Sequence, residues 1–281
     1  MNKPNQQALS LCWGSMENID LDEHIVAAAK AGFHAITTSP GAYAKAIQKG
    51  YDNQAIKKLL AENDVSISGF DPVLSWIDGA PTLEGDADFA IASRTSLEQC
   101  IDIAAALDCP LINLPPGLVD ADNETLIKNF RRACDMAAEK HIIVSLEFLP
   151  FAKTNNLAAA WHIVESAGAS NGGIMLDIWH FYQSGGQLED FDKIDINRLI
   201  GLQLNGAKQC TPDQWIDQTM NARLQANEGD CDVAAIVHHL RKQGLDIIYD
   251  IEIFSEALRA LPAAQRAKQC YDATHAMLEN T

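Results

Sequence analysis

The chain has 281 residues, 47% of them hydrophobic, and a formal net charge of −17 at pH 7. Such an acidic balance argues against a nucleic-acid partner, which needs clustered Lys and Arg, and disfavours an anionic membrane surface. The apolar share is that of a globular protein with a sizeable core.

A barrel of alternating strands and helices takes about 250 residues as one domain, so a single such domain over residues 1–281 suits the length. Seven cysteines without a CxxC pair read as reduced thiols. The start, Met1 to Ser10, is polar, and no run approaches the roughly 18 apolar residues of a membrane span. These features set the expectation of a cytoplasmic protein.

Short apolar runs alternate with longer amphipathic stretches. The first strand is expected at 8–13 (ALSLCW), then a helix at 21–31 stopped by Gly32, a strand at 34–38 and a helix at 53–62. A strand at 65–70 (VSISGF) precedes one long helix over 86–107. The run LINL at 111–114 ends at Pro115-Pro116-Gly117, and a helix follows at 123–140. The second half continues with strands at 142–148, 173–178, 199–204 and 247–254. Helical segments fall at 157–166, 188–194, 233–243 and 257–279. Eight strands alternating with helices, with no linker between them, imply parallel strands closed into a (β/α)8 barrel.

Alternate side chains of a strand point to opposite faces. In the last four strands the apolar parity (Val144, Leu146, Phe148; Ile174, Leu176, Ile178; Leu202, Leu204; Ile251, Ile253) must face the helices. The other parity then carries Glu147, Asp177, Gln203 and Glu252 inward, each near the C-terminal end of its strand. That end is the catalytic face of such barrels. Three carboxylates at one mouth repel unless protons, cations or a metal compensate them, and a divalent ion with oxygen ligands is the simplest compensation. A buried network with Lys, Arg or His would serve the same electrostatic need. His180, three residues after Asp177, lies just beyond its strand as a candidate acid/base group. The other seven histidines read as structural.

The segments SLEFLPF, MLDIWH, IGLQLNGA, Arg223–Gly229 and YDIEIF resemble the xylose isomerase-like barrel superfamily of sugar phosphate isomerases and epimerases, over essentially the whole chain. The resemblance implies one divalent metal held by Glu147, Asp177, Gln203 and Glu252. Most members of the family carry His where this chain has Gln203. An all-oxygen set favours Mn or Mg, with Co possible and Zn less favoured. A branch resembling bacterial 3-dehydroshikimate dehydratases also carries Gln on this strand and is similar around EIFSEALR, including Arg259. That branch has a His in the loop after the first Glu; here the loop reads AKTNN at 152–156.

The implied chemistry is proton abstraction beside a ketone to give a metal-stabilised enediolate, with Glu147 and Glu252 as base candidates. Reprotonation makes an isomerase or epimerase of a sugar, sugar phosphate or cyclic polyol. Loss of a β-hydroxyl makes a dehydratase. His180 or Lys153 would pass a proton at oxygen. Arg223 and Arg259 are candidates for gripping a substrate carboxylate or phosphate, or else for bracing loops. Of the aromatics, Trp13 at the end of the first strand is the main candidate for a pocket wall; Phe70, Trp76, Phe148 and Trp179 read more readily as core. A non-catalytic ligand-binding barrel is the alternative from another class. The partner expected is a small molecule, in a homodimer or homotetramer.

Overall fold

The computed structural model describes residues 9–117, 119–279 and 281. Eight parallel strands form a closed barrel in sequence order: β1 (Leu9–Leu11), β2 (Ala35–Thr38), β3 (Ser66–Phe70), β4 (Leu111–Leu114), β5 (Ile143–Glu147), β6 (Gly172–Asp177), β7 (Leu199–Leu204) and β8 (Tyr249–Ile251). β8 pairs with β1 to close the ring, with Ser10 opposite Asp250. Helices surround the barrel, as the (β/α)8 reading expects. Ala8, included in the first expected strand, lies outside the described residues.

The helix boundaries follow local chemistry. Leu21–Ala31 buries Leu21, Ile25 and Ala28, and Gly32 ends it at φ 108°, a conformation that a residue without Cβ adopts freely. Asp52, Asp122 and Asn156 each accept a hydrogen bond from the backbone N–H three residues on, opening the helices Asn53–Glu62, Asn123–Ala138 and Leu157–Ala167.

Two expected helices are each divided. The stretch 86–107 is Asp88–Arg94 and Leu97–Ala106, because Ser96 and Gln99 form a capping box that starts a second helix. The stretch 257–279 is Glu256–Arg259 and Ala263–Leu278, parted at Pro262. Three further helices, Pro40–Gln48, Ile178–Gln183 and Trp215–Asn221, were not expected. The first carries legible signals, Ser39 as cap and Pro40 in the first turn. Among the described residues no helix is long and apolar enough to cross a membrane.

His24, on the first helix, is fully packed beneath the barrel wall, with Nε2 3.2 Å from the Leu11 carbonyl oxygen. Burial lowers its pKa to about 4, only partly offset by that hydrogen bond. The unfolded chain, with an ordinary value of about 6.5, therefore binds more protons than the folded chain between these two pH values. Stability should then fall as pH drops from about 6.5 to 4, by about 3 kcal/mol from this residue. In urea unfolding, His24→Gln should remove that part of the acid sensitivity. Its stability relative to wild type should improve between pH 7.5 and pH 4. An unchanged difference across that range would count against the assignment.

Candidate active site

Parity and strand register assemble the mouth of the barrel. Asp177 stands opposite Gln203, and Gln203 opposite Asp250; Glu147 pairs with Met175. Glu252 follows β8 directly, its N–H bonded to the Leu204 carbonyl. All four residues singled out by parity are buried, none more than 5% exposed.

Asp177 ends β6 and also opens the helix Ile178–Gln183, since its Oδ1 accepts the backbone N–H of His180 at 3.0 Å. The Asp-x-x-His spacing is thus a helix cap that turns the imidazole over the mouth. His180 Nε2 lies 3.4 Å from Glu147 Oε1 and 3.2 Å from Arg223 Nη2. Trp179 and Phe151 pack edge-on against its ring.

Arg223 is the charge centre of this arrangement. Its Nη1 donates to Asp177 Oδ2 at 2.5 Å and to Glu252 Oε2 at 2.7 Å. Its other nitrogens donate to Thr219, and its guanidinium sits over the rings of Trp179 and Phe254. The loop carrying it lies hard against the end of β7: Gly206 bridges Leu224, and a Cβ at Gly206 would fall 2.2 Å from the Gln225 carbonyl oxygen. Glycine is required there so that the Arg223 loop can approach. Arg223 is thus held in a buried ion-pair network, and it also lines the cavity described below.

Most of the remaining carboxylate contacts involve residues that the parity of the last four strands does not include. Asn113 on β4 donates to Glu147 Oε2 at 2.7 Å and to Asp71 Oδ1 at 2.9 Å. Trp13 Nε1 donates to Asp71 Oδ2 at 3.3 Å. Glu252 Oε1 accepts from Gln203 Nε2 at 3.0 Å and from the Cys12 thiol at 3.2 Å. Asn113 lies on the inward parity of β4, so the same rule applied to that strand would have found it. Asp71 was not legible. The register of β2 and β3 shifts between Ile36 and Thr37, so β3 carries one extra residue opposite β2, and Asp71 follows the end of that strand.

Electrostatics separate the carboxyls. Burial raises the Glu147 carboxyl well above its ordinary range, and the charges of Asp71 and Asp177 push it further. Burial likewise raises Glu252, against the pull of Arg223. Burial pushes Asp71 up to about 6 and Asp250 to about 7. Burial would also raise Asp177, but Arg223, His180 and the helix-cap hydrogen bond together hold it down at about 2. Burial lowers His180 to about 3, so the imidazole is neutral. The site therefore contains one fixed carboxylate beside a guanidinium, and two glutamates whose carboxyls burial biases towards the protonated form.

The donor set suits a divalent cation. Glu147, Asp177 and His180 each bring a ligand atom within 4.8 Å of one another. Gln203 Oε1 and His180 Nδ1 are buried and lack a hydrogen-bond partner in the protein. Cys12, Asp71 and Glu252 form a second close group.

A cavity of about 440 Å3 opens above these groups; Glu147, His180, Arg223, Glu252 and Asp71 form its polar floor. Trp13 lines it, as expected, whereas Phe70, Trp76, Phe148 and Trp179 are buried away from it. Two expected substrate-binding residues do not line it. Arg259 is drawn to Glu17, the Met220 carbonyl and Asn221, where it braces loops. Lys153 pairs with Asp120 at 3.0 Å and lines an adjoining open depression that shares Val119 and Phe151 with the cavity. Both are pulled aside by local carbonyl or carboxylate partners that the sequence pattern could not locate.

Fold and site together define a (β/α)8-barrel protein with a buried acidic centre at the C-terminal ends of its strands. The chain belongs to the xylose isomerase-like TIM barrel family, whose model matches residues 25–277. It is 24% identical over 204 residues to an inosose isomerase of Halalkalibacterium halodurans, covering 66% of this chain and 70% of that protein. In structure it is similar to an IOLI protein with a bound zinc atom, at a TM-score of 0.84 and 15% identity, covering 98% of this chain and 99% of that one. It is also similar to the probable 3-DHS dehydratase AsbF from Bacillus anthracis, at 0.74 and 17% identity, covering 96% and 99%.

Proposed function

We propose that this protein is a divalent-metal-dependent isomerase or epimerase of a small hydroxy-ketone. The observation that carries the reading is the pair Glu147 and Glu252: two buried glutamates on the floor of one cavity, with Arg223 and His180 between their strands. The similarity to inosose isomerases supports it. Glu147, Asp177, Gln203 and Glu252 would hold the cation, and the predominance of oxygen donors favours Mn or Mg, while the zinc-bound structural relative keeps Zn in view.

When bound, the cation supplies Lewis-acid polarisation of a ketone and its neighbouring hydroxyl. The chain's own residues carry the proton. One glutamate, ionised, removes the C–H proton next to the carbonyl, giving an enediolate, and the other, protonated, delivers its own proton to the adjacent carbon or to the opposite face. His180, neutral and within reach of Glu147, shifts a proton at oxygen. Arg223 keeps Asp177 ionised throughout. The apolar walls of the cavity exclude the water that would otherwise quench the intermediate.

The dehydratase reading for a carboxylate-bearing ring has less support. Among the described residues lining the cavity Arg223 is the only Lys or Arg, and two carboxylates already engage it.

Elemental analysis of protein purified without chelator tests the cation. About one divalent ion per chain is expected, lost in the Asp177→Ala/Glu252→Ala double variant. Protein that stays free of metal after loading with Mn and Mg would overturn the metal-dependent reading. Deuterium uptake from D2O into a hydroxy-ketone tests the proton transfer.

A further inference from the structure

We infer that the substrate is a hydroxy-ketone whose far end is an apolar, aromatic ring, not a free polyhydroxylated sugar; this rests on the proton-transfer reading of the same site. The polar groups of the cavity lie on its floor, and its walls are of the opposite character. Phe89, Phe254 and Trp13 form an aromatic corner, with Trp13 edge-on to both phenylalanines at 5.4 Å between ring centroids. Phe151 and Met220 continue the lining.

Leu83 and Ile216 stand at the mouth, 49% and 53% exposed. They are among few large apolar side chains exposed in the described residues, and both turn out to line this cavity. Exposed apolar groups gathered at one opening mark a surface that an apolar ligand covers.

The polar wall groups are already engaged. The Ser93 hydroxyl accepts from the Leu83 N–H and donates to the Ala90 carbonyl. The Thr219 hydroxyl accepts from Arg223. On the floor, Asp71 is likewise taken by Trp13 and Asn113. A polyol body would lose its water along these walls without new hydrogen bonds, which is unfavourable for every hydroxyl buried. An aromatic body gains from the same burial and from edge-to-face packing on Trp13, Phe89 and Phe254. The cavity, about 440 Å3, falls in the range of about 300–1,000 Å3 that holds ligands larger than a small sugar.

Two hydroxy-ketones of matched reacting ends test this. L-erythrulose carries a hydroxylated tail, and 1-hydroxy-4-phenylbutan-2-one carries a phenyl tail. Binding to the Mn-loaded protein is measured by calorimetry and deuterium uptake from D2O by mass spectrometry. The expected result is binding of the phenyl compound at least about tenfold tighter, from burial of one ring. Phe89→Ser should bring that ratio down towards one. Equal or tighter binding of erythrulose, no binding of either, or a ratio unmoved by Phe89→Ser overturns the proposal. Exchange in erythrulose would then leave the isomerase reading standing. Tight phenyl-compound binding without exchange in either ligand supports the apolar pocket and overturns the proton-transfer reading instead.

Discussion

Glu252→Gln should lower enzymatic deuterium exchange by at least about 10²–10⁴-fold, the range for removal of a positioned acid/base group. The amide is nearly isosteric with the carboxyl, so the loss would report the proton and the charge, not the shape. Oε1 of Glu252 accepts from Gln203 and Cys12, and Oε2 from Arg223. An amide oxygen can keep one of these partners but cannot take up a proton from carbon. Glu147→Gln should behave alike, since Asn113 and His180 hold that carboxyl from the other side of the floor. Glu17→Gln serves as the control. Glu17 binds Arg259 away from the cavity, and its variant should retain near-wild-type exchange. An unchanged rate in Glu252→Gln would remove the basis of the proposed mechanism.

Arg223→Met should destabilise the metal-free protein by about 3–5 kcal/mol, the cost of leaving buried charge without its partner. Asp177 and Glu252 both bond the same Nη1, and Arg223 is only 3% exposed. Methionine fills much of the same volume beside Trp179 and Phe254, so cavity formation adds little. Urea unfolding of wild type and variant measures the difference. Mn should raise the melting temperature of the variant more than that of wild type, because a cation meets the same need of Asp177 and Glu252 that the guanidinium meets. A variant as stable as wild type would show that these carboxyls are protonated and that Arg223 is not their counter-charge.

What the sequence determined by itself was whatever depends on local periodicity. Eight apolar runs separated by amphipathic stretches specified the barrel, because parallel strands require crossovers and each helix requires one apolar face. The period of two within a strand placed Glu147, Asp177, Gln203 and Glu252 on the inward face. The stop at Gly32 fixed where the first helix ends, whereas the break at Pro262 was passed over.

Only the tertiary structure decided what depends on loops and on long-range approach. Nothing local to Arg223 shows that it reaches Asp177, 46 positions away; that contact needs the close passage of the Arg223 loop over Gly206. Arg259 and Lys153 look as suitable as Arg223 on the linear chain, yet Glu17, Asn221 and Asp120 draw them away from the cavity. Asp71 and the aromatic corner of Trp13, Phe89 and Phe254 come from segments that meet only when the barrel closes. A strand's alternation is set by its own backbone, whereas the position of a loop side chain is set by which distant charge or apolar surface it meets.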